Sequence, residues 1–192
     1  KEQIDELLED LLLVGQMVAH ALDLSIQALV RQDVKLAQQV IDGDDQVNSA
    51  QHDIDEKCLV LIATQQPMAG DLRTLLAVTN IAAELERIGD YTEGIAKLAI
   101  RLAGQPFIKP LIDIPHMAEE GRRMLLDILQ AFADRDAETA RRVAAADTVV
   151  DNLYSQVFDD LLAIMVRDPQ TIQQATYLLW VAHNLERIAD RT

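Results

Sequence analysis

The sequence predicts an all-α protein built as two tandem, pseudo-symmetric three-helix bundles. Three observations carry that reading. Apolar residues recur at helical spacing along almost the whole chain. The composition is 49% hydrophobic but only 4% aromatic, with seven Gly and five Pro, so few residues remain for turns. The second half also repeats the first. At an offset of 103, Ala28 to Asp33 aligns with Ala131 to Asp136, Ala37 with Ala140, Val40 with Val143, Asp44 with Asp147 and Val47 with Val150. A repeat of this kind is expected to pack its copies about a pseudo-twofold axis.

The elements follow in order. A first helix runs from about Lys1 to Arg31. Asp33 suits the N-cap of a second, about Val34 to Thr64, which Gln65-Gln66-Pro67 ends. A third covers about Ala69 to Leu102. Gly104, Pro106 and Pro110 mark a linker. A fourth helix follows Pro115 and reaches about Ala133. Asp136, with Glu138 behind it, opens a fifth that ends near Arg167. Asp168-Pro169 turns into a sixth. Beyond that turn the offset falls to 100, so the turn at Pro169 is three residues shorter than the one at Pro67. The organisation is therefore a first bundle over 1–103, a linker over 104–114 and a second bundle over 115–192. The sixth helical pattern is still running at Thr192 and the chain opens on Lys1, so truncation at both ends, and an incomplete second bundle, are expected.

Charge narrows the function. Seventeen Lys and Arg face 32 Asp and Glu, for a net charge of −15. Nucleic-acid binding runs on phosphate neutralisation by basic residues, so no nucleic-acid partner is expected. The single Cys58 allows no intrachain disulfide and fits a reducing compartment as a buried, inert thiol. No signal peptide or membrane span is read, and no membrane insertion is expected. Trp180, Tyr177 and Leu178 are expected in the core. No Gly-rich phosphate loop, Gly-x-Ser-x-Gly or Cys/His couple builds a nucleophilic site, so an enzyme is not expected.

The chemistry lies in two near-identical stretches, Ala82 to Thr92 and Ala182 to Thr192. Both contain Leu-Glu-Arg-Ile-x-Asp. Carboxylates four apart on a helix have Cβ atoms roughly 5–6 Å apart and repel. A cation turns that repulsion into attraction. The short Pro67 and Pro169 turns force antiparallel hairpins, in which residues at one height share a constant sum of numbers. Asp44 with Asp90 and Asn48 with Glu86 both sum to 134; Asp147 with Asp190 and Asp151 with Glu186 both sum to 337. Each hairpin is thus expected to bring four oxygen-bearing side chains to one level: Asp44, Asn48, Glu86 and Asp90 in the first, Asp147, Asp151, Glu186 and Asp190 in the second. Oxygen ligands suit Mg²⁺, Ca²⁺, Mn²⁺ or iron. Neither set holds a Cys, which excludes a thiolate zinc site and leaves zinc on carboxylates open. The plainer alternative is a solvated acidic face paired with Arg87, Arg187, Arg141 or Arg142. His183, three residues before Glu186, is a further ligand candidate. Arg87 and Arg187 are read as structural bridges, Gly89 and Ala189 as packing residues.

At Gly43-Asp44-Asp45-Gln46-Val47-Asn48, at Gln66-Pro67 followed by Asp71-Leu72-Arg73, and at both Leu-Glu-Arg-Ile-x-Asp copies, the chain resembles the PhoU family along essentially its full length. The resemblance implies two pseudo-symmetric three-helix bundles. It implies acidic helix motifs that bind divalent or trivalent metal ions, with iron, Mg, Mn and Zn as candidates. These motifs carry over onto Asp44, Glu86, Asp90, Asp147, Asp151, Glu186 and Asp190, and more weakly onto Asn48. It also implies a non-enzymatic repressor of phosphate uptake and of the phosphate-starvation response. Such a protein acts with the ATPase of the Pst phosphate ABC transporter and with the phosphate-sensing histidine kinase. It is expected in the cytoplasm, against the inner membrane through those partners, as a homodimer. Two departures set the halves apart. Asn48 stands where an acid is expected, and Ala189 where the fuller motif has Gly; the second half also lacks the Asp-Leu-Arg element. The two sites are therefore expected to differ in affinity or occupancy. The rivals are a carboxylate-bridged di-iron, ferritin-like protein and a metal-free helical adaptor.

Overall fold

The computed structural model describes residues 2–192. Six helices are present: α1 (Glu2–Arg31), α2 (Val34–Gln65), α3 (Gly70–Leu102), α4 (Asp113–Asp134), α5 (Ala137–Arg167) and α6 (Ile172–Asp190), with one 3₁₀ turn at Pro169–Thr171. No strand occurs among the described residues. α4 starts before Pro115 rather than after it. The first-turn N–H groups of a helix have no intrahelical partner, so proline there removes no hydrogen bond.

The duplication extends to backbone dihedrals. Gln32 (φ 54°) and Arg135 (φ 57°), related by the 103-residue offset, both adopt the left-handed conformation. In each copy the next amide bonds five residues back: Asp33 N to Ala28 O at 2.9 Å and Asp136 N to Ala131 O at 2.8 Å. The amides of Gln32 and Arg135 reach Leu29 O and Phe132 O, both at 3.2 Å. These are Schellman motifs that satisfy the last carbonyls of α1 and α4. The following aspartates then cap α2 and α5. Asp33 Oδ1 accepts from Leu36 N, and Asp136 Oδ1 accepts from Glu138 N and Thr139 N, all at 3.0 Å.

Each bundle packs its three helices on one another. Across the pseudo-twofold, α1 packs on α4 and α3 on α6, while α2 and α5 touch only their own bundle among the described residues. The burial patterns reflect this. α2 buries a narrow stripe at seven-residue spacing, Val40, Val47 and Ile54, and α5 buries its counterpart, Val143, Val150 and Val157. α1 and α3 have neighbours on two sides and bury wider faces. One continuous core joins both bundles. At the α1–α4 crossing, a Cβ on Gly15 would lie 2.1 Å from Leu129 Cδ1, so only glycine fits that approach as it stands. Arg122 and Asp23 form an ion pair along the same seam, Nε to Oδ2 at 2.7 Å. Buried Gln174 pins the crossover segment from α6: its Oε1 accepts from Ile108 N at 2.6 Å and its Nε2 donates to Pro106 O at 3.1 Å. An apolar groove of about 880 Å³ separates the halves on one side, with Ile81, Leu85, Leu125 and Phe132 in its wall.

One expectation is corrected. Leu178 is fully buried, but Trp180 is 49% exposed and lies against Tyr177 with ring centroids 5.8 Å apart. Trp180 lies on the exposed face of α6 beside Tyr177, whose ring Arg101 of α3 covers. α1 is also long and apolar enough to cross a membrane by length and composition. Here Leu7, Leu11, Val14, Val18 and Leu22 are spent in the core, which accounts for that apolarity.

Candidate metal centre

In the second hairpin, Asp147 lies four residues after Val143 and three before Val150. Burial of those two valines rotates its carboxylate toward α6. Asp151 follows one turn on. From α6, Leu185, Ile188 and Ala189 are buried, which leaves Glu186 and Asp190 on the flank facing α5. Carboxylate oxygens of Asp147, Asp151 and Asp190 lie within 4.8 Å of one another. Burial first, then the charges of Asp151 and Asp190, push the Asp147 carboxyl above its ordinary value. Glu186 is raised by burial and by Asp190, against the opposing pull of His183 and Arg187. Asp147 Oδ1 and Glu186 Oε2 are buried without a hydrogen-bond partner. Buried oxygens left in that condition cost about 1–3 kcal/mol each, and a coordinated cation removes the penalty. The donor set fits a hard, oxygen-seeking ion. His183 stands outside the trio: its Nδ1 is 3.6 Å from Glu186 Oε2, and its ring lies 6.2 Å from that of Tyr154.

The first hairpin follows the same plan less tightly. Asp44 is half-buried, and burial, Asp90 and Glu93 raise its pKa in that order. Glu86 is raised by burial, then by Asp90 and Asp44. Charges on α2 and α3 therefore confront each other, but among the described residues no three acids here converge as the second set does. Asn48 changes the chemistry. Its Nδ2 donates to Asp44 Oδ2 at 3.2 Å, neutralising part of the repulsion, while its buried Oδ1 has no partner. Gly89 faces this carboxylate: a Cβ there would lie 3.2 Å from Asp44 Oδ1. Ala189, its counterpart, is buried. Glu93 is the residue that sequence reasoning missed. Glu86, Asp90 and Glu93 follow the i, i+4, i+7 pattern of one helix face, and that spacing was the available signal.

The two motif arginines bond within their own helices. Arg87 Nη1 reaches Glu84 Oε1 at 2.6 Å, and Arg187 Nη1 reaches Asp190 Oδ2 at 2.8 Å. Arg187 also lies beside Tyr91 of the other bundle, whose hydroxyl it and Arg191 hold below the ordinary tyrosine range. Arg191 completes the seam, stacking 5.6 Å from the Tyr91 ring centroid and pairing with Glu84 at 2.5 Å.

A pH dependence follows. The carboxyls of Asp44, Glu86, Asp147 and Glu186 bind protons more tightly folded than unfolded, where the ordinary values are 3.8 and 4.5. Protonation therefore favours the folded state. The metal-free protein is expected to lose stability as pH rises from those ordinary values through the raised folded ones, and to regain it on acidification. Urea midpoints of chelator-treated protein between pH 4.5 and 7.5 check this. A midpoint that rises steadily with pH would contradict it.

A family model described as the PhoU domain matches the chain twice, over residues 11–99 and 114–192. The chain belongs to the PhoU family. Each match contains one acidic hairpin. Among PhoU relatives, a phosphate-specific transport system accessory protein PhoU homolog of Rhizobium meliloti is 40% identical over 93% of this chain and 74% of its own length. A homolog of the same description from Aquifex aeolicus is 38% identical over 97% of this chain and 84% of its own. The crystal structure of PhoU from Pseudomonas aeruginosa superposes with a TM-score of 0.94 at 33% identity, over 99% of this chain and 91% of that one. The all-α architecture of two tandem PhoU bundles is thereby established for this chain.

Proposed function

We propose that this chain is a metal-binding regulator of phosphate homeostasis. It represses phosphate uptake and the phosphate-starvation response by coupling a Pst-type phosphate transporter to the phosphate-sensing histidine kinase. Near-full-length similarity to proteins named as phosphate-specific transport system accessory proteins carries the phosphate role. A solved relative from Streptococcus pneumoniae, described as a phosphate transport system regulatory protein, points the same way. The convergence of Asp147, Asp151 and Asp190 supports the metal. A bound ion would be held by these three carboxylates, with Glu186 beside them, and by Asp44, Glu86, Asp90 and the Asn48 carbonyl in the first hairpin. The ion would supply fixed positive charge that stiffens the α5–α6 and α2–α3 hairpins.

In this reading α2 and α5, which touch only their own bundles, offer their outer faces to the transporter ATPase and the kinase. The protein works in the cytoplasm as a homodimer, held near the inner membrane by those partners, as a regulator rather than an enzyme. His183 lies outside the trio, its Nδ1 3.6 Å from Glu186 Oε2, an arrangement that does not favour the di-iron rival. The test is capture of the transporter ATPase and the kinase's cytoplasmic domain on immobilised protein, with wild type and an Asp147→Asn, Asp151→Asn variant. Both partners are expected on wild type, and fewer on the variant. Capture of neither overturns the regulator; equal capture by the variant removes the metal from the mechanism.

A further inference from the structure

On the α5–α6 hairpin an apolar stripe continues from the acidic trio toward the turn. Phe158 follows Asp151 by two helical turns, and Leu162 and Val166 follow at intervals of four, so all lie along one side of α5. Phe158 is 39% exposed, Leu162 48% and Val166 79%. Ile172, 49% exposed, opens α6 across the short turn from Val166. The register of the two helices is visible in Tyr154 and His183, one rung beyond the acids, whose rings lie 6.2 Å apart. Single exposed hydrophobics are ordinary, but a contiguous run on one face marks an interaction surface. The duplication offers a comparison. Asp55 stands in the first hairpin where Phe158 stands in the second, and Ala63 where Val166 stands. The fold therefore accepts a polar residue at that position. Leu59 and Leu76 are exposed near the first turn, but Asp55 cuts them off from the acids of that hairpin.

We infer that this stripe is the docking surface for an amphipathic helix of another protein, with Lys or Arg at the end that meets the acids. The inference narrows the outer-face reading given under the proposed function to the second hairpin, and rests on that reading for the partner's being a protein. Charge selects the occupant. Asp147, Asp151 and Asp190 converge at one end of the stripe, and Arg167 stands at the other. Asp160 pairs with Lys109 at 2.7 Å, whereas Asp159, beside Phe158, has no ion-pair partner among the described residues. A second copy of this chain would bring the same acids and a further charge of −15, and an anionic lipid surface would be repelled by that charge. A basic amphipathic helix satisfies both features: its apolar face covers the stripe and its cations meet the acids.

Fluorescence anisotropy with a labelled Leu/Lys peptide of helical apolar spacing, and with its Leu/Glu counterpart, tests this. Chelator is present throughout, so no outcome depends on the metal reading. The proteins are wild type, Phe158→Ser with Leu162→Ser, Phe158→Asn alone, and Leu59→Ser with Leu76→Ser in the first hairpin. Phe158→Asn imitates the polar Asp55 without adding charge, and remains informative should the double variant fold poorly. Wild type is expected to bind the Lys peptide and not the Glu peptide. Phe158→Ser with Leu162→Ser is expected to weaken binding about tenfold or more, Phe158→Asn about three- to fivefold, and the first-hairpin variant by less than about twofold. No binding by wild type, equal binding of the two peptides, or equal weakening by both hairpin variants overturns the surface while leaving the capture experiment above to decide the regulator. Self-association of wild type that Phe158→Asn abolishes assigns the stripe to a second copy instead. Binding of wild type to phosphatidylglycerol vesicles that Phe158→Asn abolishes assigns it to a membrane, and either result overturns the inference.

Discussion

Mn²⁺ at about a hundred times its dissociation constant is expected to raise the melting temperature by about 5–10 °C. A ligand at that excess stabilises the folded state by about 2.7 kcal/mol, and each kcal/mol moves the midpoint by about 2–4 °C in a chain of this size. The stabilisation has a structural source. Asp147, Asp151 and Asp190 present oxygens within 4.8 Å of one another, and Asp147 Oδ1 lacks a partner in the fold. The Asp147→Asn, Asp151→Asn variant is expected to lose the metal-induced rise. It should nevertheless melt higher than wild type without metal, because two mutually repelling charges have gone. That inversion separates a metal site from an ordinary solvated acidic face, where Mn²⁺ changes little in either protein. Differential scanning calorimetry with and without Mn²⁺ checks both halves of the expectation. A rise of equal size in the variant would place any bound metal elsewhere.

Leu185→Ala is expected to destabilise the protein by about 4 kcal/mol, and Leu85→Ala by about 2–3 kcal/mol, although the two leucines are related by the duplication. Both are 1% exposed. Their surroundings differ: Leu85 stands in the wall of the groove between the halves. Leu85 is covered as fully as Leu185, but its truncation opens toward that groove. Its pocket also relaxes into the groove instead of leaving a sealed void. Leu185 carries no such relief. Urea denaturation of the two variants measures the difference, and equal losses would show that the groove does not soften the first site.

Much of the fold is legible along the chain because its rules are local. Asp33 and Asp136 announce helix starts, and the structure uses both as caps. The seven-residue spacing of Val40, Val47 and Ile54, repeated in Val143, Val150 and Val157, marks helices with one buried face. Proline at 67 and 169 marks the hairpin turns, and constant residue sums then bring Asp147 level with Asp190. What such sums leave open is rotation about each helix axis, which depends on neighbours from the other bundle. Trp180 shows the consequence: an aromatic in an apolar run reads as core, yet it is half exposed. Glu93 shows it from the other side, since its proximity to Asp44 depends on how α2 meets α3.

The amino-acid sequence by itself determined the helices, their turns, the duplication and the pairing of acids within each hairpin, because backbone periodicity and capping act over only a few residues. Tertiary structure alone decided that the second set converges more tightly than the first, that Arg187 takes Asp190 while Arg87 takes Glu84, and that Tyr91 receives two arginines from the other half. Those choices depend on distances between groups a hundred residues apart, and such distances exist only once α3 has packed against α6.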